Sequence, residues 1–467
     1  MITKKYFILL LAGFSVLSSC KKELDQQPYD TFNESNAFLT VEDIGKGLNG
    51  AYGRYGAYAN DMYVSALVSD EAKLGINNAG QGALTYRYQY SSDATTGGDV
   101  IGAFYGYYSL IDQVNRVLAK VDGATAANAS EETLKDAYKG QLLALRGIAH
   151  FELMRNYSGN YAPDALGVPI MTQSDVFALP ARNTMGEVMA QIETDLSDAK
   201  ALMPPVSASD YSDLTLNKIS VAGFQARIAL YKGDYDAAVT YATEVINSGA
   251  KPLVDAATFP LIWTDQSDAE VLFRIRYETS TAIGGLWTTT SNAIYIAPSD
   301  KLLDEYDYDN DVRGNTYFAT LGGNPLVYKF FISPRGGRVV DMKALRTAEM
   351  YLIRAEAYAK SSSPNISAGA DDLNTLRAER INGYTPESFA TPAALIDAVL
   401  EERYKELCFE GFRFYDLKRN NLPVERWASD AAEEWQTLPV GNYRFVFPIP
   451  NQEMLVNPNM VQNPGEY

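Results

Sequence analysis

The sequence predicts a mainly α-helical protein in which pairs of helices stack on one another, with long inserted loops and a few short β-strands. Apolar residues recur at the three- and four-residue spacing of a helix in many separate segments. Two of these segments are joined by a Gly-Asp turn, which is typical of a helix hairpin. Between the helical segments lie long stretches rich in Gly, Asn, Ser and Tyr that lack a helical period. The first two observations predict the helical body, and the third predicts the loops.

The first helix is predicted to begin at Thr40. Asp43 stands at the capping-box spacing from it, and Ile44 and Leu48 begin the apolar stripe. Apolar residues continue at helical spacing along the rest of the chain, which predicts further helices. Those helices are expected over residues 108–121, 134–157, 188–202, 221–231, 237–246, 345–358, 371–381 and 395–409.

The helix hairpin is the clearest of these predictions. Val221, Phe224 and Ile228 mark one apolar stripe, and Gly233 followed by Asp234 makes the turn. Asp234 can cap the second helix, in which small alanines permit close packing. This pattern resembles a tetratricopeptide helix pair, which must stack on its neighbours to bury its apolar face, although an ordinary hairpin would share these features. More degenerate pairs of the same kind are indicated at residues 134–157 and 345–381.

Three long loop insertions are predicted near residues 73–99, 253–302 and 307–340. Within them, residues 271–275 and 295–297 have the composition of short strands. Stacked helix pairs do not need such loops, and long ordered loops in a compact protein commonly carry function. These insertions are therefore where we expect a binding site.

The N-terminus has the pattern of a lipoprotein signal peptide. Lys4 and Lys5 precede an apolar run of about eleven residues, which is too short to span a membrane. The run ends in Leu-Ser-Ser before Cys20. We expect residues 1–19 to be removed, Cys20 to be acylated and anchored in membrane lipid, and residues 20–36 to form a flexible tether. An ordinary signal peptide followed by an incidental cysteine is the alternative.

Composition limits the partners. The formal net charge is −18, and loss of the first nineteen residues would remove two lysines and no acid. An acidic surface repels nucleic acid and anionic lipid headgroups, so no nucleic-acid partner is predicted. Such a surface is compatible with neutral glycans and with cationic peptides. One histidine and one cysteine besides Cys20 are too few for a common zinc site, and neither a metal nor a cofactor is predicted.

No catalytic motif stands out. A Ser-His-Asp triad would need His150, the only histidine, which lies in a Leu- and Ala-rich helical segment. No G-x-S-x-G elbow precedes a helix, and no P-loop or dinucleotide-binding fingerprint follows a strand. A carboxylate pair for glycoside hydrolysis cannot be recognised from sequence, because the required separation is spatial. We therefore predict that the protein is not an enzyme, with a glycosidase as an alternative.

An acidic cluster in the third loop has the start of a calcium-binding motif. Asp307, Asp309 and Asp311 have the spacing of EF-hand ligands. Val312 takes the place of the required glycine, and Phe318 stands at the twelfth position instead of glutamate. An EF-hand is therefore rejected, while a calcium site built from loop carbonyls stays open.

Aromatic residues in the loops are the strongest indication of a binding site. Tyr86, Tyr88 and Tyr90 alternate in TYRYQY, and a period of two would put all three on one side of an extended segment. Trp287 lies in GGLWTTT, and Tyr295 follows soon after. Aromatic faces in polar loops suit sugar rings, because the apolar face of the sugar stacks while nearby amides and carboxylates bind the hydroxyls.

Polar side chains in the same loops complete the predicted ligand site. They are Asn77, Asn78, Asp93 and Asn292. The competing interpretation is that the aromatic residues only fasten their own loops to the helical body.

The segment at residues 401–419, EERYKELCFEGFRFYDLKR, places charges among aromatic side chains on one helix and its exit turn. Glu402 and Glu406 lie four residues apart with Arg403 beside them, and Gly411 is expected to end the helix. Buried charges are usually paired, which predicts a structural ion-pair network at a helix corner. This segment resembles the C-terminal signature of the SusD/RagB family of surface lipoproteins.

Other segments carry the same resemblance. The closing segment PIPNQEMLVNPNMVQNPGEY and the segments LRTAEMYLIRAEAY and DLNTLRAER look like elements of that family. The helix with Phe104, Tyr108 and Asn115 is similar to a family helix, and so is the Gly-Val-Pro turn that begins at Gly167. Two positions depart from the family pattern: Phe104 stands where Trp is common, and Leu166 replaces the first glycine of a usual pair.

The resemblance implies a single helical domain over residues 37–467, where length alone would allow two or three domains. It implies a lipoprotein anchored in the outer membrane of a Gram-negative bacterium and facing the exterior. There the protein would bind a glycan without catalysis and act as the lid of a SusC-like TonB-dependent transporter. The same lid role with a peptide cargo is the alternative, and a carboxylate-dependent glycoside hydrolase is less favoured.

Overall fold

The first described helix, α1 (Val41–Arg54), begins where the capping box predicts it. The Asp43 N–H donates to Thr40 Oγ1 (3.3 Å), and the Thr40 N–H donates to the Asp43 carboxylate (3.1 Å). The structure, a computed structural model, describes residues 37–467. The predicted signal peptide, Cys20 and the tether lie outside the described residues.

Helices form most of the body, as the sequence predicts. After α1 they are α2 (Tyr58–Val68), α3 (Ala83–Tyr86), α4 (Ala94–Val121), α5 (Ala129–Tyr157), α6 (Met185–Leu202), α7 (Lys218–Lys232), α8 (Tyr235–Ser248), α9 (Phe259–Trp263), α10 (Asp300–Asp304), α11 (Val312–Tyr317), α12 (Thr347–Lys360), α13 (Ile366–Ala378), α14 (Pro392–Glu406), α15 (Arg413–Arg419) and α16 (Asn451–Val456).

The strands are short and pair in twos into small antiparallel sheets. They are β1 (Ala72–Leu74) with β3 (Ile296–Pro298), β2 (Val271–Ile275) with β8 (Met342–Arg346), β4 (Phe318–Leu321) with β5 (Asn324–Val327), β6 (Ile332–Ser333) with β7 (Gly336–Gly337), and β9 (Val424–Glu425) with β10 (Thr437–Leu438). The strand predicted at residues 271–275 is confirmed, and the one predicted at 295–297 lies one residue further on.

Consecutive helix pairs stack on one another. Helices α5 and α6, α7 and α8, and α12 and α13 pack as pairs, while α6 packs on α7 and α8 packs on α12. At the turn between α7 and α8, Gly233 has a φ of +80° and the Asp234 carboxylate accepts the Ala237 N–H at 3.2 Å. This confirms the predicted hairpin and the predicted pair at residues 345–381, whereas residues 134–157 belong to the single helix α5, which pairs with α6.

The 401–419 segment is a buried ion-pair network, as predicted. Three guanidinium groups surround the Glu406 carboxylate: Arg346 Nη1 lies 2.8 Å from Oε1, Arg380 Nε lies 3.2 Å from Oε2, and Arg313 Nη1 lies 3.1 Å from Oε2. Burial alone would raise the pKa of Glu406, but the three arginines outweigh it and hold that pKa below its ordinary value. Helix α14 ends at Glu406, earlier than the predicted stop at Gly411, whose φ is +87°.

The loop insertions contain more regular structure than their composition predicts. The sequence predicts a helix from residue 108, whereas the corresponding helix α4 starts at Ala94. Asp93 caps this helix, and Gly97 lets the Ser91 carbonyl approach so closely that no Cβ would fit there. The helical start was hidden because glycines favour loops and lower helix propensity.

Candidate functional site

The segment that carries Tyr86, Tyr88 and Tyr90 is not extended, so the prediction that all three share one side of a strand is wrong. Tyr86 ends the short helix α3, and Tyr88 has a φ of +56°. Tyr86 and Tyr90 are buried and Tyr88 is half-buried. A turn of helix followed by a left-handed residue breaks the period of two on which the prediction depends.

The hydroxyl of each tyrosine in this trio donates a hydrogen bond to the backbone of another segment. Tyr86 Oη donates to Asp430 O (2.7 Å), Tyr88 Oη to Val68 O (3.2 Å) and Tyr90 Oη to Arg444 O (2.6 Å). Arginine side chains cover the rings: Arg426 lies 4.0 Å from the centroid of Tyr86 and Arg444 lies 4.7 Å from that of Tyr90. These contacts fasten the loop to the helical body, which is the competing interpretation of the trio.

Trp287 is fully buried, with an exposed fraction of 0%. Its ring packs against Tyr63, Phe330 and Phe409 at centroid distances of 5.9, 6.4 and 5.0 Å. A sugar ring could stack on Trp287 only after its loop moved away from the core. The predicted ligand contact at Trp287 therefore stays a prediction that requires such a movement.

Three predicted residues do come together at one surface. The Asn78 amide donates to the Tyr295 carbonyl (2.9 Å), and Tyr295 Oη donates to Gly285 O (2.8 Å). Arg338 Nη2 donates to Asn292 Oδ1 (2.5 Å). We call this face, formed by residues 75–82, 285–295 and 328–338, the loop surface.

The loop surface exposes amides beside apolar groups. Ile76 has an exposed fraction of 71%, and Asn77 and Asn292 are also exposed. Asn77 Oδ1 accepts the Ile294 N–H (3.0 Å), and Asn292 Oδ1 accepts from Arg338. Within the described residues, the amide N–H groups of both side chains have no partner, so they can bind oxygen atoms of a ligand.

Asp93 lies outside the loop surface, at the N-terminus of α4. Its carboxylate accepts the Thr95 N–H (2.8 Å) and the Thr95 hydroxyl (2.6 Å) at the N-terminus of α4. These hydrogen bonds lower the pKa of Asp93, which keeps the carboxylate ionised at the positive end of the helix. A structural cap therefore explains this residue.

The two side chains best suited to nucleophilic or acid–base chemistry are both committed to the fold. His150 is buried: its Nδ1 lies 3.0 Å from Arg146 O, and its Nε2 accepts the Met171 N–H (3.1 Å). Burial lowers the pKa of His150 to about 4. Burial also raises the pKa of the Cys408 thiol to about 12, so this cysteine is a protonated core residue.

Among residues 37–467, no group of three or more His, Cys, Asp or Glu side chains could hold a metal ion. The cluster in the third loop illustrates this. Asp311 is paired with Arg313 (2.8 Å), and Asp307 accepts the Asp309 N–H (3.1 Å) and the Asn310 amide (2.7 Å). The same range contains no helix long and apolar enough to cross a membrane.

Two family models match the chain over most of its length. One, described as "SusD family", matches residues 287–465, and the other, described as "Starch-binding associating with outer membrane", matches residues 23–230. The chain belongs to the SusD/RagB family. Both models include parts of the loop surface, and the first includes the ion-pair segment.

Full-length relatives agree with this assignment. Two SusD-like proteins of Formosa agariphila are 24% and 23% identical to this chain. The matches cover 97% and 99% of this chain, and 97% and 100% of the relatives. The similarity thus extends over nearly the whole of this chain and of both relatives.

The fold is that of solved SusD superfamily structures. A SusD superfamily protein from Bacteroides thetaiotaomicron, 24% identical, has a TM-score of 0.80 and covers 91% of this chain and 100% of its own. A SusD-like carbohydrate binding protein from Bacteroides vulgatus, 22% identical, has a TM-score of 0.76 and covers 91% and 98%. These similarities confirm the predicted mainly helical SusD fold with stacked helix pairs.

The two departures from the family pattern have different surroundings. Phe104 is buried against Tyr108 and Tyr157, at centroid distances of 4.8 and 5.2 Å, so an aromatic ring still fills the position. Leu166 is 45% exposed. Phe104 lies within α4, and Leu166 forms an antiparallel bridge with Thr184, the N-cap of α6.

Proposed function

We propose that this SusD-family protein is a lipid-anchored protein of the bacterial cell surface that binds a glycan and delivers it to a TonB-dependent transporter. The observation that carries the proposal is the match of residues 23–230 to the family described as starch-binding in association with the outer membrane. Those residues contain one arm of the loop surface, residues 75–82. The acylated Cys20 would hold the protein at the outer membrane, facing the exterior.

In this proposal the loop surface captures the glycan. Free amide N–H groups of Asn77 and Asn292 bind sugar hydroxyls, and exposed Ile76 contacts the apolar face of a ring. The Asn78 hydrogen bond to Tyr295 joins residues 75–82 to residues 285–295, and the Arg338 hydrogen bond to Asn292 joins residues 328–338 to the same segment. If the loop of Trp287 opens on binding, that indole supplies a stacking platform.

The protein binds without catalysis in this proposal. His150 and Cys408 are buried in the core, and one of the two family descriptions names starch binding. Incubation with each glycan that binds should release no reducing ends. Sustained release of reducing ends from a bound polysaccharide would instead support the glycoside hydrolase.

Binding itself is tested by calorimetric titration of the purified protein against soluble starch, neutral oligosaccharides and a peptide digest. The proposal expects saturable binding to a glycan. Binding to the peptide digest alone would favour the second candidate, a lid with peptide cargo, which the net charge of −18 would suit if the peptides were cationic.

The lid role is tested separately in cells. Deletion of the partner transporter should abolish uptake of the bound glycan, while binding at the cell surface persists. Unchanged uptake in that strain would contradict delivery to the transporter and leave the binding function standing.

A further inference from the structure

A second concave site lies between helix α9 and helix α11. It is a cleft of about 540 Å³, within the size range of small-ligand sites. Its lining residues are Ala256, Ala257, Pro260, Trp263, Thr264, Tyr308, Asp309, Asn310, Asp311, Val312, Asn315, Thr316, Tyr328 and Asn382. We call it the α9–α11 cleft.

Two tyrosines of the α9–α11 cleft differ from the tyrosines that fasten loops. Tyr308 is 41% exposed, and Tyr328 is half-buried. Neither hydroxyl has a hydrogen-bond partner among residues 37–467, whereas the hydroxyls of Tyr86, Tyr88 and Tyr90 all donate to backbone carbonyls. An aromatic ring with an accessible face and a free hydroxyl is suited to a ligand that has both apolar and polar edges.

The polar side chains of the cleft favour an uncharged ligand. The Asn382 amide and the Asp309 carboxylate are exposed, and neither makes a side-chain hydrogen bond to another described residue. The lining contains no lysine or arginine, and its negative charge comes from Asp309, because Asp311 is paired with Arg313. Amides and a carboxylate bind hydroxyl groups well, while the negative charge disfavours uronates and sulfated sugars.

Backbone hydrogen bonds join one wall of the cleft to residues 380–382. The Val312 N–H donates to Arg380 O (3.0 Å), and the Asn382 N–H donates to Asn310 O (2.9 Å). Gly314 leaves room for the Tyr308 ring, since a Cβ there would lie 2.9 Å from Tyr308 Cδ1. A preformed cleft of this kind loses little conformational entropy when a ligand binds.

A chain of contacts connects the cleft to the loop surface. Tyr328, in the cleft wall, stacks on Phe331 with a centroid distance of 5.4 Å and an interplanar angle of 26°. The Arg338 guanidinium lies 4.5 Å from the Phe331 ring and donates to Asn292 on the loop surface. Packed side chains therefore connect the two sites directly.

We propose that the α9–α11 cleft is a subsite for uncharged sugar residues, and that one glycan chain extends from it to the loop surface. This inference rests on the proposed glycan-binding function. It assigns ring stacking to Tyr308 and Tyr328, and hydroxyl binding to Asn382 and Asp309.

The test uses the purified full-length protein in detergent and calorimetric titration with maltoheptaose, cellohexaose, xylohexaose, mannohexaose and oligogalacturonate. The variants are Tyr308→Ala and Asn382→Ala. Asn382→Ala removes a side chain that makes no hydrogen bond to any described residue, so this variant should keep the wild-type fold. Tyr105→Ala is the matched control, because Tyr105 is 42% exposed on α4 and Tyr308 is 41% exposed.

We expect a neutral oligosaccharide to bind the wild-type protein. Each cleft variant should lower the affinity for that oligosaccharide at least about tenfold, while Tyr105→Ala should leave it unchanged. Oligogalacturonate should bind the wild type more weakly than the neutral probe. Wild-type affinity in both cleft variants would overturn the subsite and leave the proposed function intact. A wild-type protein that binds none of these probes and no polysaccharide would overturn both, and tight oligogalacturonate binding would overturn the charge preference.

Discussion

Arg346 and Glu406 form a buried ion pair, with Nη1 and Oε1 2.8 Å apart, that joins strand β8 to helix α14. Arg346 also reaches Glu410 through Nη2 (2.8 Å), and Arg380 joins Glu406 to Glu270. Glu270 immediately precedes strand β2, so this one network joins strands β2 and β8 to helix α14. Through Arg313 the network also holds helix α11, which forms part of the wall of the α9–α11 cleft.

Replacement of Glu406 by glutamine should destabilise the protein severely. It would leave three guanidinium groups facing an uncharged amide, and breaking a buried ion pair costs about 3 kcal/mol or more. Urea unfolding of wild type and variant measures the difference in the free energy of unfolding. Glu401→Gln is the control, because Glu401 is exposed on the same helix and should change stability by less than about 0.5 kcal/mol.

The stability of the protein should fall in acid partly because of Glu406. Its pKa in the folded protein lies below its ordinary value of 4.5. A group with a lowered folded pKa contributes stability that is present above the unfolded pKa and is lost as pH falls toward the folded pKa. The gap in unfolding free energy between wild type and Glu406→Gln should therefore be largest near neutral pH and narrow below about pH 4.5. A constant gap from pH 7 to pH 3 would contradict the ion-pair account.

Removal of the hydroxyl of Tyr86 or Tyr90 should affect stability and leave ligand affinity unchanged. Each buried hydroxyl donates to a backbone carbonyl, and the loss of such a bond costs about 1 kcal/mol. Thermal unfolding of Tyr86→Phe and Tyr90→Phe measures this, with Tyr105→Phe as an exposed control. If either variant kept its stability but lost glycan affinity, the original interpretation of the trio as a binding platform would be restored.

Loss of the Asn292 side chain should weaken glycan binding about tenfold. Glycine is the appropriate replacement, because Asn292 has a φ of +68° that alanine would adopt only with strain. Asn421→Gly is the matched control: Asn421 has a φ of +51°, is exposed, and accepts one side-chain hydrogen bond, from Asn160. Equal affinity in the two variants would exclude Asn292 from the binding surface.

The sequence predicted the helical body well because its signals are local. The capping box at Thr40, the turn at Gly233 and the apolar stripes each depend on residues within a few positions of one another. The ion-pair network was also predictable in kind, since Glu402 and Glu406 stand among aromatic residues. Its arginine partners come from distant segments, so their identity was not evident from the pattern.

The binding residues were harder to predict because their role depends on which side chains remain free after folding. Tyr88 and Tyr308 are both loop tyrosines flanked by polar residues. Only the structure shows that Tyr88 is held by Val68 O and that Tyr308 has no such partner among the described residues. The alternation in TYRYQY predicted an extended segment, but Tyr86 ends a helical turn and Tyr88 has a left-handed φ, which the alternation does not indicate.

The most direct test of the account is a calorimetric titration of the wild-type protein with soluble starch and neutral oligosaccharides, followed by a reducing-end assay of the same mixtures. The account predicts saturable binding of at least one neutral glycan and no release of reducing ends. Absence of binding to every glycan, or hydrolysis of a bound one, would contradict the proposed role as a glycan-capturing lipoprotein of the SusD family.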